Sequence, residues 1–314
     1  MTKRGVFLLC LSALLLAGLT VNVNSGSERA RPTVAQINGA INAQGACWVA
    51  KTNKFSTWTT DQLKRLLGVL PPETEMSDGM YSVEAIQAEE DYFALLQAKP
   101  APSLPASFDW RASGGVTSVK DQGNCGSCWA FSSVGQLEAL LKIKTGVTYD
   151  LSEQFLVSCE TNNYGCDGGY MDRVYAYLKS TGTPDESCFK YQAADVACSN
   201  RCSNWAQLVK KIHSYTWVCK SSLNTTNIKN AIYTNGPLTV TMDVYNDFFS
   251  YSSGCYSHVT GAYAGGHAVL IVGWTSDNCW IVKNSWGPGW GEQGYFKIKF
   301  GNCRIGLNSA KFTL

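Results

Sequence analysis

Residues Gln122-Gly123-Asn124-Cys125-Gly126-Ser127-Cys128-Trp129-Ala130-Phe131-Ser132-Ser133 decide how this 314-residue chain is read. Two cysteines three apart close a glycine-rich approach, and a helical pattern follows at once. Ala130, Val134, Leu137 and Leu141 recur at the spacing of one helix face; Lys142 and Lys144 fall in the expected last turn, and Gly146 stops it. Cys128 therefore lies at or beside the first turn of a long, half-buried helix. Backbone N–H groups at that end have no intrahelical partners and the macrodipole is positive there. Both bias a thiol toward thiolate, the form that attacks carbon. Taken alone, Cys125 to Cys128 also fits a redox motif or half of a zinc site. A zinc site needs further Cys or His at matching spacing, and a thioredoxin-like unit needs a strand just before the motif. Neither is evident, because Lys120 to Gly123 reads as a loop after Val116–Val119.

The formal net charge of +2 supplies no field that would recruit nucleic acid or a charged membrane surface. Lys3 and Arg4 precede an apolar run from Val6 to Leu19, too short to span a membrane comfortably. Residues 1–24 are thus expected to be a secretory signal peptide, cleaved near 20–25. No second apolar segment of spanning length follows. Thirteen cysteines on a secretory route predict disulfides. Cys10 leaves with the signal and Cys47 with an N-terminal module. Eleven cysteines remain, and ten can pair if Cys128 stays free. Asn224-Thr225-Thr226 is the one Asn-x-Ser/Thr sequon.

Residues 25–103 look like a separate module with too little apolar content for a large core of its own. A short helix is expected over 32–42. Another is expected from Thr59 or Thr60 through Leu67, ended by Gly68, and an acidic one over 84–98. Lys99-Pro100-Ala101-Pro102-Ser103 reads as an exposed linker suited to proteolysis. Beyond it, helices are expected at 128–144, 152–159 and 170–181, and strands at 211–218, 237–244, 267–275, 279–285 and 293–300. The fold class is therefore α+β, helices first and strands second.

A nucleophilic thiol needs a base, and the base an orienter. The chain holds three histidines. His213 alternates with apolar residues as in a strand, and His258 sits in a surface turn beside Tyr256 and Ser257. His267, in Gly265-Gly266-His267-Ala268-Val269, has small residues before it and a buried strand after it, 139 residues beyond Cys128. Asn284, in Asn284-Ser285-Trp286-Gly287, can accept from one imidazole nitrogen and leave the other to face the thiol. Trp286 would shield that bond from water. In Gly165-Cys166-Asp167-Gly168-Gly169-Tyr170, Gly168 and Gly169 leave the backbone bare for an extended peptide.

These motifs resemble the papain-like cysteine proteases, whose active-site signature appears here as Cys125-Gly126-Ser127-Cys128-Trp129. Trp48, Asn53, Phe55 and Leu63-Lys64-Arg65-Leu66 before Gly68 are similar to the pro-region of the cathepsin B-like subgroup, and Leu104 to Arg111 looks like the family's mature N-terminus. The resemblance implies a two-lobe fold, a helical lobe and an antiparallel β-barrel-like lobe with the active site in the cleft between them. The divisions are a signal at 1–24, an inhibitory pro-region at 25–103 with Leu67-Gly68-Val69 crossing the cleft, and a peptidase domain at 104–314. It implies Cys128, His267 and Asn284 as catalytic residues, with Gln122 and the Cys128 N–H as oxyanion donors. It also implies a selectivity pocket walled by Met171 and Ala268 with Asn308 as its floor. The implied disulfides are Cys125–Cys166, Cys159–Cys198, Cys188–Cys202 and Cys255–Cys303, leaving Cys219 and Cys279 as a pair or two thiols. One departure stands out: no histidine lies between Tyr170 and Cys202, where cathepsin B carries an inserted loop with paired histidines.

The expected activity is that of a zymogen-derived cysteine endopeptidase, secreted or endolysosomal. Protein or peptide substrates and its own pro-region are the expected partners. A monomer is expected, with no nucleic acid, no metal and no organic cofactor. An inactive papain-like binding protein is the rival from another class, although such proteins typically lose the cysteine. A Cys-x-x-Cys oxidoreductase is the other, and a Cys125–Cys166 disulfide would eliminate it.

Overall fold

The computed structural model describes residues 31–71 and 103–314. The expected signal, the helix at 84–98 and residues 99–102 of the linker lie outside the described residues. Thr33 opens helix α1 (Val34–Gln44) with a capping box: its hydroxyl accepts from the Gln36 N–H, and the Gln36 side chain accepts from the Thr33 N–H. Ile37 and Ile41, one turn apart, form its buried face. Strand β1 (Trp48–Ala50), a single 3₁₀ turn (Lys54–Thr57) and helix α2 (Thr60–Lys64) follow, α2 capped by Thr59 in the same manner. The expected continuation of α2 to Leu67 does not occur. Leu66 is buried, and its carbonyl accepts from the Gln122 side chain.

From residue 103 onward the chain builds two large apolar cores and a small third cluster of Leu270, Val272 and Ile281. Helices α3 (Cys128–Thr145), α4 (Glu153–Cys159) and α5 (Met171–Ser180) pack around Val134, Leu137, Leu156, Val174 and Leu178. Gly146 ends α3 in the left-handed region, as the sequence led one to expect. Helix α3 is more deeply buried than its one apolar face suggested, with every residue from Cys128 to Leu141 covered. The strand lobe covers its second side. Gln136 reaches across to donate to the Ala310 carbonyl and accept from the Thr239 N–H, at 2.8 Å each.

The second core lies on strands β4 (Leu238–Tyr245), β5 (Tyr251–Tyr256), β6 (Tyr263–Trp274), β7 (Cys279–Lys283) and β8 (Tyr295–Lys299). Counting β1 and the short β2 (Phe108–Asp109), seven described strands form one sheet. Its order is β1-β5-β8-β7-β6-β2, with β4 paired to β6. Strands β3 (Ser214–Cys219) and β9 (Ser309–Thr313) form a separate antiparallel pair. The strand positions agree with the sequence reading to within a few residues. Register matters at β6, where Met242 lies opposite His267 and Thr241 opposite Ala268.

Segment 31–71 docks on this strand lobe. β1 extends the sheet antiparallel to β5, Asn53 donates to the Phe249 carbonyl at 2.8 Å, and Trp48 packs edge-on against Tyr256 at 4.9 Å. Phe55 meets Trp286 edge to face at 5.3 Å. Trp48, Asn53 and Phe55, which carried the pro-region resemblance, are therefore docking residues.

Three disulfides match the expected pairs: Cys125–Cys166, Cys159–Cys198 and Cys188–Cys202. The fourth does not. Cys255 pairs with Cys279, so the expected Cys255–Cys303 bridge and the Cys219–Cys279 alternative are both corrected. Cys255 lies opposite Lys297 and Cys279 opposite Lys299 of β8, and the two Cα atoms come within 6.1 Å of each other, inside disulfide reach. Cys303 sits in a turn with φ of 52°, its sulfur 3.1 Å from Asn302 Oδ1, and Cys219 remains a buried thiol near the Asn224 carbonyl.

Candidate active site

Cys128 is the first residue of α3, and the preceding Ser127 makes no side-chain cap to the helix. Of the N–H groups at this helix start, those of Cys128 and Trp129 face the Cys128 sulfur, while those of Ala130 and Phe131 return to the Ser127 carbonyl. His267 lies inside β6, and Asn284 follows the last residue of β7. The antiparallel β6–β7 pairing sets these two side by side. His267 Nε2 is 2.8 Å from Asn284 Oδ1, which also accepts from the Ser285 N–H at 2.8 Å. Two donors on Oδ1 fix the orientation of the amide. An amide oxygen only accepts, so the imidazole proton is on Nε2 and Nδ1 keeps its lone pair. Among the described residues Nδ1 has no hydrogen-bond partner. Trp286 covers the pair, its ring 4.8 Å from that of His267, and is itself fully buried.

The Cys128 sulfur meets the strand lobe at the Ala268 N–H, next in sequence to His267. Gln122 is held from that lobe as well: Ser285 Oγ donates to its Oε1 at 2.7 Å, and its N–H donates to the Ser285 carbonyl at 2.8 Å. Nε2 is thereby aimed at the Cys125 and Leu66 carbonyls, at 2.7 and 3.0 Å. Four residues chosen from sequence thus converge at the boundary of the lobes. The anchoring role of Ser285 comes from the fold, with no local sequence signal beyond its place in Asn284-Ser285-Trp286-Gly287. Tyr191, 63 residues from Cys128, carried no sequence signal, yet its hydroxyl reaches both Ser127 and the Gln122 backbone. His213 and His258 stand elsewhere. His258 stacks on Tyr245 at 3.9 Å and bonds to the buried Asp247.

A peptide already lies across this site. Gly68 N–H donates to the Cys128 sulfur at 3.3 Å, Gly169 N–H to the Gly68 carbonyl at 2.8 Å, and Val69 N–H to the Gly266 carbonyl at 3.2 Å. A Cβ on Gly68 would fall 1.7 Å from the Gly126 carbonyl oxygen, so only glycine passes there. Val69 packs on the cluster that contains Met171 and Ala268. Asn308 joins the same corner: its Nδ2 donates to Thr241 Oγ1 at 3.1 Å, and its carbonyl accepts from Tyr175 at 3.0 Å.

Burial beneath this segment controls the electrostatics. It pushes the Cys128 thiol up to about 11, although backbone N–H groups of Ala268, Gly68 and Trp129 pull the other way. It pushes His267 down to about 4, against the raising effects of Asn284 and of the Leu66 backbone. The thiolate bias of a helix N-terminus is therefore outweighed while the segment is in place, and thiol and imidazole are both neutral.

A two-lobed thiol peptidase is the class these features define. Residues 104–313 match the model of the papain family cysteine proteases, and the chain belongs to that family. A cathepsin B-like protein of Giardia intestinalis is 40% identical over 212 residues, covering 63% of this chain and 70% of its own. Procathepsin L 3 of the Tenebrio molitor larval midgut superposes with a TM-score of 0.71 at 30% identity, covering 90% of this chain and 88% of that one. A procathepsin B of Trypanosoma congolense gives a TM-score of 0.72 at 25% identity, with 90% and 98% covered.

Proposed function

We propose that the chain is the zymogen of a secreted or endolysosomal cysteine endopeptidase, with Cys128 as nucleophile and His267 as base and acid. Asn284 is the orienter, and Gln122 Nε2 with the Cys128 N–H are the oxyanion donors. The observation that carries this is a single bonded array, His267–Asn284–Ser285–Gln122, set against a cysteine at a helix start. With the cleft open, the thiol proton passes to His267 Nδ1 and the sulfur attacks the scissile carbonyl carbon. The oxyanion accepts from the two donors. His267 then protonates the leaving amine, and the acyl half stays on sulfur as a thioester. Water, deprotonated by the same nitrogen, releases the acid and restores the thiol. Labelling of the processed protein by an epoxide-type thiol inhibitor, mapped to the Cys128 peptide and lost in Cys128→Ala with hydrolysis, tests these roles. Full hydrolysis by Cys128→Ala would end the mechanism.

Residues 25–103 act in this reading as an inhibitory pro-region, removed within 99–105 after residues 1–24 are lost as a signal. The seating of Gly68 on the sulfur and of Leu66 on Gln122 supports this. Full-length protein, shown intact by mass spectrometry, is expected to be inactive where protein starting near Leu104 is active. The stretch from Tyr170 to Cys202 has no histidine to hold a terminal carboxylate, which favours internal cleavage. Release of C-terminal dipeptides that strictly needs a free carboxylate would count against that.

A further inference from the structure

We infer that Tyr191 is a positioning residue for the oxyanion site: its hydroxyl ties the backbone of Gln122 to the residue that opens α3. It thereby holds the two oxyanion donors at a fixed spacing. The inference rests on the proposed roles of Gln122 and the Cys128 N–H. Tyr191 Oη lies 2.8 Å from the Gln122 carbonyl and 2.6 Å from Ser127 Oγ. A carbonyl only accepts, so the phenol donates to it and Ser127 must donate to the phenol. The result is one directed chain, Ser127 Oγ–H to Tyr191 Oη–H to the Gln122 carbonyl. Ser127 and Gln122 are both fully buried, so water does not compete for these groups. Burial also pushes the phenol well above its ordinary range, which keeps it a donor.

The tie matters because Gln122 belongs to two bodies. Its amide oxygen and its N–H are held by Ser285 of the strand lobe, whereas the Cys128 N–H belongs to the helical lobe. Tyr191 grips the Gln122 carbonyl from the helical side. Its own place is set independently of the site. The ring stands edge-on to Phe131 at 4.7 Å, one turn along α3 from Ser127, and its N–H donates to Glu186 at 2.7 Å. The adjoining Gln192 N–H donates to Gln154 of α4 at 2.9 Å. Ser127, freed from capping, is spent on this contact.

The test uses full-length variants activated by processing: Tyr191→Phe, which keeps the ring, Ser127→Ala, the double variant, and Gln122→Ala as a reference. Four quantities are read: kcat, KM, inhibition by a peptide aldehyde, and the rate of Cys128 alkylation by iodoacetamide. The aldehyde forms a tetrahedral adduct and needs the oxyanion donors; alkylation does not. Tyr191→Phe is expected to lower kcat roughly tenfold, less than deleting a donor outright. KM should stay within about twofold. Aldehyde affinity should fall with kcat, alkylation should be unchanged, and Ser127→Ala should add little to Tyr191→Phe. Unchanged kcat in Tyr191→Phe, or kcat, KM and alkylation all falling together, would overturn the assignment. If Gln122→Ala also leaves kcat and aldehyde affinity intact, the oxyanion reading itself fails. If Gln122→Ala is damaging and Tyr191→Phe is not, only the tie fails.

Discussion

The Gly68 N–H points at the Cys128 sulfur, 3.3 Å away. An electrophile for this thiol is a carbonyl carbon; a hydrogen-bonded N–H is not one. Val69 runs parallel to Gly169 and antiparallel to Gly266, and the Leu66 carbonyl takes the Gln122 amide. The segment thus fills the positions a substrate would need while offering the sulfur a donor. This supports its reading as an inhibitor rather than a substrate.

Gly68→Ala tests that contact. An added Cβ would fall 1.7 Å from the Gly126 oxygen, against backbone that cannot rotate away. Forcing backbone apart costs about 1–3 kcal/mol, so the segment should open roughly ten- to hundredfold more often. In intact full-length protein, iodoacetamide should alkylate Cys128 faster by that order than in wild type. Equal rates would show that the clash is relieved elsewhere.

The buried thiol and imidazole give the proform a pH window. His267 sits at about 4 in place of 6.5, so the unfolded chain takes up its proton first as pH falls. Its contribution to stability is present above 6.5 and lost as pH drops toward 4. Cys128 sits at about 11 in place of 9.0, so the unfolded chain loses its proton first, and stability is lost as pH rises from 9 to 11. Thermal melts of full-length wild type and His267→Gln isolate the acid limb. Wild type should lose roughly 2–3 kcal/mol relative to the variant between pH 6.5 and 4. A gap that stays constant across that range would contradict the shift.

What sequence made legible follows from how local each signal is. The helix at Cys128, the buried strand after His267 and the Asn284 motif are read from neighbours within a few residues, and the structure places all three as expected. Three disulfides followed from family resemblance. Cys255–Cys279 did not, because it depends on β5 and β7 meeting at β8, a strand later in the chain than either, which no local pattern fixes. Tyr191 was invisible for the same reason: only the packing of its loop on α3 and α4 brings its hydroxyl to Gln122.

That correction can be checked directly. Non-reducing peptide mapping of the full-length protein should recover a Cys255–Cys279 cross-link, with Cys219 and Cys303 carrying alkyl label after denaturation. A Cys255–Cys303 peptide would restore the family-derived pairing.

Three elements meet at the proposed selectivity pocket. Met171 opens α5, and Tyr175, one turn on, donates to the Asn308 carbonyl. Ala268 lies opposite Thr241 across β6 and β4, and Thr241 Oγ1 accepts from the Asn308 amide. Val69 of the bound segment, a branched apolar side chain, packs on the cluster holding Met171 and Ala268. Asn308 is neutral, so a guanidinium entering here would lose water without gaining a charged partner. Substrates with Leu, Val or Phe two residues before the scissile bond should be preferred over Arg, roughly tens-fold in kcat/KM. Asn308→Asp is the sharper variant. Asn308 has a φ of 50°, a left-handed conformation that Asn and Asp tolerate better than longer side chains. The carboxylate keeps the size and adds the missing charge, so it should narrow or reverse the preference. Paired fluorogenic substrates differing only at that residue measure both. Equal or better cleavage after Arg by the wild type would mean that Asn308 is not the floor of the pocket.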